Sequence, residues 1–185
     1  NVTVTAQDQY GNTATGYTGT VTLTSSDAGA TLASNRQFTA GDAGIVTLAV
    51  TLVSAGTHTI TATDTSVGSI TGTQTAVSVT PAGAATLVVS GFPASRTAGQ
   101  VGGLTVTARD AFGNQATGYS GTVAITTTDG AATLPSSHTF VGGENGTFDF
   151  NVTLKTVGTH TITATDTATG SITGQQTGIA VMPAA

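Results

Sequence analysis

The 185-residue chain repeats itself at a fixed offset. Residues 2–12 (VTVTAQDQYGN) return at 104–114 as LTVTARDAFGN, and 16–21 (GYTGTV) return at 118–123 as GYSGTV. Residues 56–65 (GTHTITATDT) recur unchanged at 158–167. The offset is 102 in each case, and 46 of 82 aligned positions are identical with no insertion or deletion. An internal period of ordinary domain size means that each copy is a folding unit with its own core. The repeat predicts two domains, at 1–82 and 83–185. The copies are unequal, because 84–102 (AATLVVSGFPASRTAGQVG) precedes the second copy and has no counterpart before Asn1. We therefore expect a window of a longer polypeptide, with the first repeat lacking its opening strand.

Within each copy, apolar residues alternate with polar ones at period two, the signature of strands with one buried face. In the second copy this predicts strands at 86–90, 103–108, 121–127, 136–140, 147–154, 159–165 and 172–181, and no helix. Asp110–Asn114, Asp129-Gly130, 142–146 and Thr169-Gly170 are turn sequences between them. The predicted inward residues are Leu104, Val106, Ala108, Val123, Ile125, Phe148, Phe150, Val152, Leu154, Ile162, Ala164, Ile179 and Val181. In the first copy they are Val2, Val4, Ala6, Val21, Leu23, Val46, Leu48, Val50, Leu52, Ile60 and Ala62. The opposite faces are filled by threonine, 43 residues in all, whose β-branched side chain suits a solvated strand without charge. Seven short strands with one buried face each make an all-β chain of two antiparallel, seven-stranded β-sandwiches of the immunoglobulin-like kind.

Composition removes several functions. Four Lys and Arg against nine Asp and Glu cannot neutralise a run of phosphates, so nucleic acid is excluded as a partner. Apolar runs of a few residues exclude a membrane-spanning helix. With no cysteine there is no disulfide, thiolate metal site or thiol nucleophile. The threonine-rich, lysine-poor composition points outside the cell.

The run D-x-[YF]-G-N, GY[TS]GTV, D-[AG]-x-A-T-L and GTHTITATD resembles the bacterial immunoglobulin-like repeats of the invasin/intimin type. These occur in tandem in large surface proteins, and the resemblance covers the whole chain. It implies a non-catalytic structural repeat of an extracellular fibre, stalk or adhesin shaft at the bacterial cell surface. The second reading, from another class, is a carbohydrate- or surface-binding sandwich, although aromatics are 5% of the chain and tryptophan is absent.

Three acidic residues per copy are expected to converge. With immunoglobulin connectivity, the loops holding Asp8, Asp42 and Asp64 meet at one pole, as do those holding Asp110, Glu144 and Asp166. Oxygen-rich clusters suit calcium, which takes about six to eight oxygen ligands; the competing reading is an ordinary Asx-type turn. No other cofactor is expected. His58 and His160 share the inward parity of their strands and are expected to bond backbone carbonyls. Gly118-Tyr119-Ser120-Gly121 is one residue short of a nucleophile elbow and no helix follows it. Lys155 has outward parity, against an isopeptide crosslink. Asn145-Gly146-Thr147 and Asn151-Val152-Thr153 read as glycosylation sequons.

The short linker 81–84 predicts head-to-tail stacking of the copies. The near absence of lysine leaves strand edges unguarded, so the expected partners are neighbouring repeats of the same or identical chains, through self-assembly into a fibre. An AATLVVSG-like segment is expected to fill the slot of the first repeat's missing strand.

Overall fold

The computed structural model describes residues 1–184 and divides into two compact units, Asn1–Thr80 and the chain from Pro81 onward. Nearly all regular structure is β.

In the first unit the strands are β1 (Val2–Thr5), β2 (Thr20–Ser25), β3 (Thr31–Leu32), β4 (Arg36–Gln37), β5 (Ile45–Leu48), β6 (Val50–Thr51), β7 (Gly56–Asp64) and β8 (Thr71–Val79). One sheet has the order β4-β2-β7-β8; facing it are β1-β5 and the small pair β3-β6. Val21, Leu23, Phe38, Val46, Leu48 and Ile60 form the buried core. Of the other inward residues expected here, Val2, Val4, Ala6, Val50, Leu52 and Ala62 are only half-buried.

The second unit comprises β9 (Thr86–Ser90), β10 (Ser95–Thr97), β11 (Val101–Arg109), β12 (Thr122–Thr127), β13 (His138–Thr139), β14 (Thr147–Thr153), β15 (Gly158–Asp166) and β16 (Thr173–Met182). A three-stranded sheet β14-β11-β9 packs on a five-stranded sheet β10-β16-β15-β12-β13. The core is larger because β9 adds Leu87 and Val89, and the following turn adds Phe92. Every inward residue expected in this copy is buried except Phe148, which is half-buried. Its ring is covered by His138, stacked flat on it at a centroid distance of 3.5 Å and an interplanar angle of 9°.

Two details depart from the alternation. Ser95–Thr97 forms an additional strand that pairs with β16 in parallel, so the pairing is not wholly antiparallel. The loops before β5 and β14 each contain one 3-10 turn, Ala40–Asp42 and Gly142–Glu144, which closes through a left-handed residue, Ala43 or Asn145. Both features are too short to leave a periodic signature.

Candidate functional site

The acidic residues are where chemistry would have to lie, and each is held by hydrogen bonds from backbone amides and side chains. Asp110, at the end of β11, accepts hydrogen bonds from the Phe112 and Asn114 amides and from Asn114 Nδ2, all at 2.9 Å, and from the Ala82 amide at 3.0 Å. Burial by itself would raise its pKa; the donors outweigh it and bring the carboxyl down to about 2. Asp8 makes the same turn with Tyr10 and Asn12, exposed to solvent, and the Asn12 amide group leads in lowering its pKa.

Asp42 and Glu144 close the 3-10 turns. Asp42 accepts from the Thr39 amide at 2.7 Å and pairs with Arg36 at 2.8 Å. Glu144 accepts from the Val141 amide at 2.9 Å and pairs with His138 at 2.9 Å. Arg36 and His138 are related by the 102-residue offset, so the repeat keeps the contact and changes the side chain that faces the carboxyl group.

Asp64 and Asp166, at the ends of β7 and β15, each receive a tyrosine hydroxyl. Tyr17 donates to Asp64 Oδ2, and Tyr119 donates to Asp166 Oδ2 at 2.5 Å. The second carboxylate oxygen takes the Ser66 and Val67 amides in one unit and the Ala168 and Thr169 amides in the other. Both carboxyls lie below the usual range, chiefly because of the tyrosine. Both tyrosines are pushed up, first by burial and then by the carboxylate, Tyr17 to about 12.

The loops that hold Asp110 and Glu144 adjoin. The Ala108 amide donates to the Gly146 carbonyl at 2.8 Å, and Gln115 Nε2 donates to the Asn145 carbonyl at 2.9 Å. Each carboxylate nevertheless has its own set of donors. Among the described residues no three His, Asp or Glu side chains come together at metal-binding range.

At the far end of β2 and β12 lie two buried aspartates that the sequence reading did not single out. Asp129 accepts from the Lys155 amide at 2.6 Å, the Thr156 amide at 3.0 Å, Thr156 Oγ1 at 2.6 Å and the Ala131 amide at 3.0 Å. Asp27 does the same with Val53, Ser54 and Gly29. Its pKa is depressed, led by the Ser54 hydroxyl; for Asp129 burial opposes, but the Thr156 and Lys155 donors prevail. The signal in the sequence was the D-[AG]-x-A-T-L loop, which shows a turn but not its long-range partner 26 residues away.

The histidines complete this end. His58 Nε2 lies 2.8 Å from the Ser54 carbonyl and His160 Nε2 2.8 Å from the Thr156 carbonyl, the backbone role expected for them. Asp27, Ser54 and His58 are therefore neighbours, but their hydrogen bonds do not run in the order of a Ser–His–Asp relay. The Ser54 hydroxyl donates to Asp27 at 2.6 Å, and His58 Nε2 meets the serine's carbonyl, not its hydroxyl. In the second unit Thr156 replaces the serine.

No family model matches the chain, and no curated protein matches it. Solved structures do. A glycosyl hydrolase family 2 member from Bacteroides cellulosilyticus aligns over 89% of this chain and 22% of its own, with 16% identity and a TM-score of 0.48. The surface layer protein SbsC, domains 4–9, aligns over 97% of this chain and 24% of its own, with 25% identity and a TM-score of 0.40. The Escherichia coli adhesin FdeC aligns over 97% of this chain and 58% of its own, with 19% identity and a TM-score of 0.39. The chain thus spans under a quarter of the length of the first two. Among the described residues no helix is long and apolar enough to cross a membrane.

Proposed function

We propose that the chain is a non-catalytic structural repeat of an invasin/intimin-like extracellular protein, serving in a fibre, stalk or adhesin shaft at a bacterial surface. One observation carries the reading. In both units the aspartates at positions 27, 64, 129 and 166 are buried and take backbone amides, hydroxyls or both from their own unit. A carboxylate surrounded by such donors fixes loops and is a poor acid, base or ligand. The 102-residue repeat preserves this arrangement, as a load-transmitting or spacing module requires. Pulling the chain by its ends in a single-molecule force experiment should give two separate, reversible unfolding events. A single low-force extension would contradict a shaft role.

A second reading, carbohydrate binding, draws on Tyr10 and Phe112. They occupy the same loop position in the two copies and are 81% and 63% exposed. Exposed rings can stack on sugar faces. A glycan array decides: saturable sub-millimolar binding that disappears in Tyr10→Ala and Phe112→Ala would favour this reading over the first.

A further inference from the structure

The turn before β14 contains the chain's single asparagine–glycine step, Asn145-Gly146. Its counterpart in the first repeat is Ala43-Gly44, so only the second unit has a side-chain amide at this turn. Asparagine is among the thermolabile residues. Its amide is lost when the next residue's backbone nitrogen reaches its Cγ, and a following glycine leaves that approach free of side chain.

The fold leaves the reacting atoms accessible and everything around them fixed. Asn145 is exposed, and its Nδ2 has one long hydrogen bond, to the Gly143 carbonyl at 3.5 Å. Among the described residues the Gly146 amide donates no hydrogen bond. The two carbonyls, by contrast, are held. Gln115 Nε2 donates to that of Asn145 at 2.9 Å, and the Ala108 amide to that of Gly146 at 2.8 Å. Gly146 has a φ of 75°, and a Cβ on it would overlap the Ala116 carbonyl oxygen, so the main chain here has no spare room.

We infer that Asn145 is a spontaneous modification site, where deamidation and backbone isomerisation weaken the second unit and spare the first. The Gly146 nitrogen attacks Asn145 Cγ. The N–Cγ bond forms, the Cγ–Nδ2 bond breaks, and the amide proton leaves with Nδ2 as ammonia. One water then opens the resulting five-membered imide. Cleavage at the main-chain carbonyl gives isoaspartate, and cleavage at Cγ gives aspartate. The sum is one water consumed and one ammonia released, with nothing oxidised or reduced. In the folded turn the Asn145 ψ of 34° holds the nitrogen away from Cγ, so attack waits on local opening and is slower than in a free peptide. Isoaspartate routes the main chain through Cγ. The added carbon pushes Gly146 out of its place against Ala116 and breaks the bond from Ala108. The new carboxylate also lies next in sequence to Glu144, a like charge. The inference is independent of the shaft reading, since the chemistry is the same whether the unit spaces, adheres or binds sugar.

The test ages the full 185-residue chain in mildly alkaline buffer and maps it by mass spectrometry, with isoaspartate read by enzymatic methylation. The Asn145 peptide should convert, mainly to isoaspartate, while those carrying Asn12, Asn35, Asn114 and Asn151 stay unchanged. In the converted chain the second unit's thermal transition should fall and the first unit's should not. Asn145→Ala copies the alanine that the first unit already holds left-handed at this turn, and should abolish both changes. Should that variant misfold, mapping of the unmodified chain still decides. No conversion over many half-lives of a free peptide of residues 142–148 overturns the inference. So does equal conversion at Asn12 or Asn114, or an unchanged second transition after full conversion.

Discussion

Tyr119 donates its hydroxyl to Asp166 at 2.5 Å across 47 residues of chain, and the same bond joins Tyr17 to Asp64. It ties the loop before β12 to the end of β15, beside the edge-to-face contact of Tyr119 with Phe140 at 5.0 Å. The glycine two residues after each tyrosine makes it possible. A Cβ at Gly121 or Gly19 would overlap both the tyrosine hydroxyl and the carboxylate.

Gly121→Ala should therefore disrupt the second unit far more than Gly118→Ala, whose added Cβ meets nothing within 4 Å. Overpacking of this kind costs about 1–3 kcal/mol, or a loss of about 5 °C or more in Tm for a domain of this size. Differential scanning calorimetry of the two variants checks the contrast; equal losses would show that the glycine is not needed for the tyrosine–aspartate bond.

Asp129→Ala should lower the second unit's Tm by about 5 °C or more and leave the first unit's transition in place, because three amides and a threonine hydroxyl lose their acceptor at once. Asp149→Ala provides the control. It is an exposed carboxylate whose bond, to Thr105 at 2.6 Å, lies on the sheet surface, and its removal should shift Tm by less than about 2 °C.

The pH dependence follows from shifts of opposite sign. The aspartates have folded pKa values below the ordinary 3.8. Their contribution is full above about pH 4 and lost as pH falls through the folded values, about 2 for Asp110. Tyr17 is raised from 10 to about 12, so its contribution is full below about pH 10 and lost as pH rises through the folded value. Tm should be nearly flat from about pH 5 to 9 and fall on both sides. A main transition near pH 6 would refute this assignment.

Because each member of the acidic triplets already has its own donors, millimolar calcium or EDTA should leave Tm unchanged within about 1 °C. A calcium-dependent rise of several degrees, lost in Asp110→Asn, would instead support the cluster suggested by loop connectivity.

Unmodified chain at high concentration should associate through β8, a nine-residue edge with uncharged side chains. Thr73→Lys, which places a charge in the middle of that edge, should reduce the association seen by light scattering. Association unaffected by the lysine would move the contact elsewhere.

The sequence by itself determined the periodic part of this protein. Alternation along residues 104–108, 147–154 and 159–165 specified which side chains enter the core, because a strand offers only two faces and burial rewards one of them. The 102-residue offset likewise carried every motif to its structural equivalent, so that GYTGTV and GYSGTV make the same tyrosine–aspartate bond. Tertiary structure decided where the polar groups point. Asp110 and Glu144 sit on adjoining loops, yet each is satisfied by its own donors, because nearby amides form hydrogen bonds at less entropic cost than a shared cluster of like charges would demand. Lys155 bonds Asp129 from 26 residues away and His138 stacks on Phe148 across a turn, and strand alternation encodes neither contact.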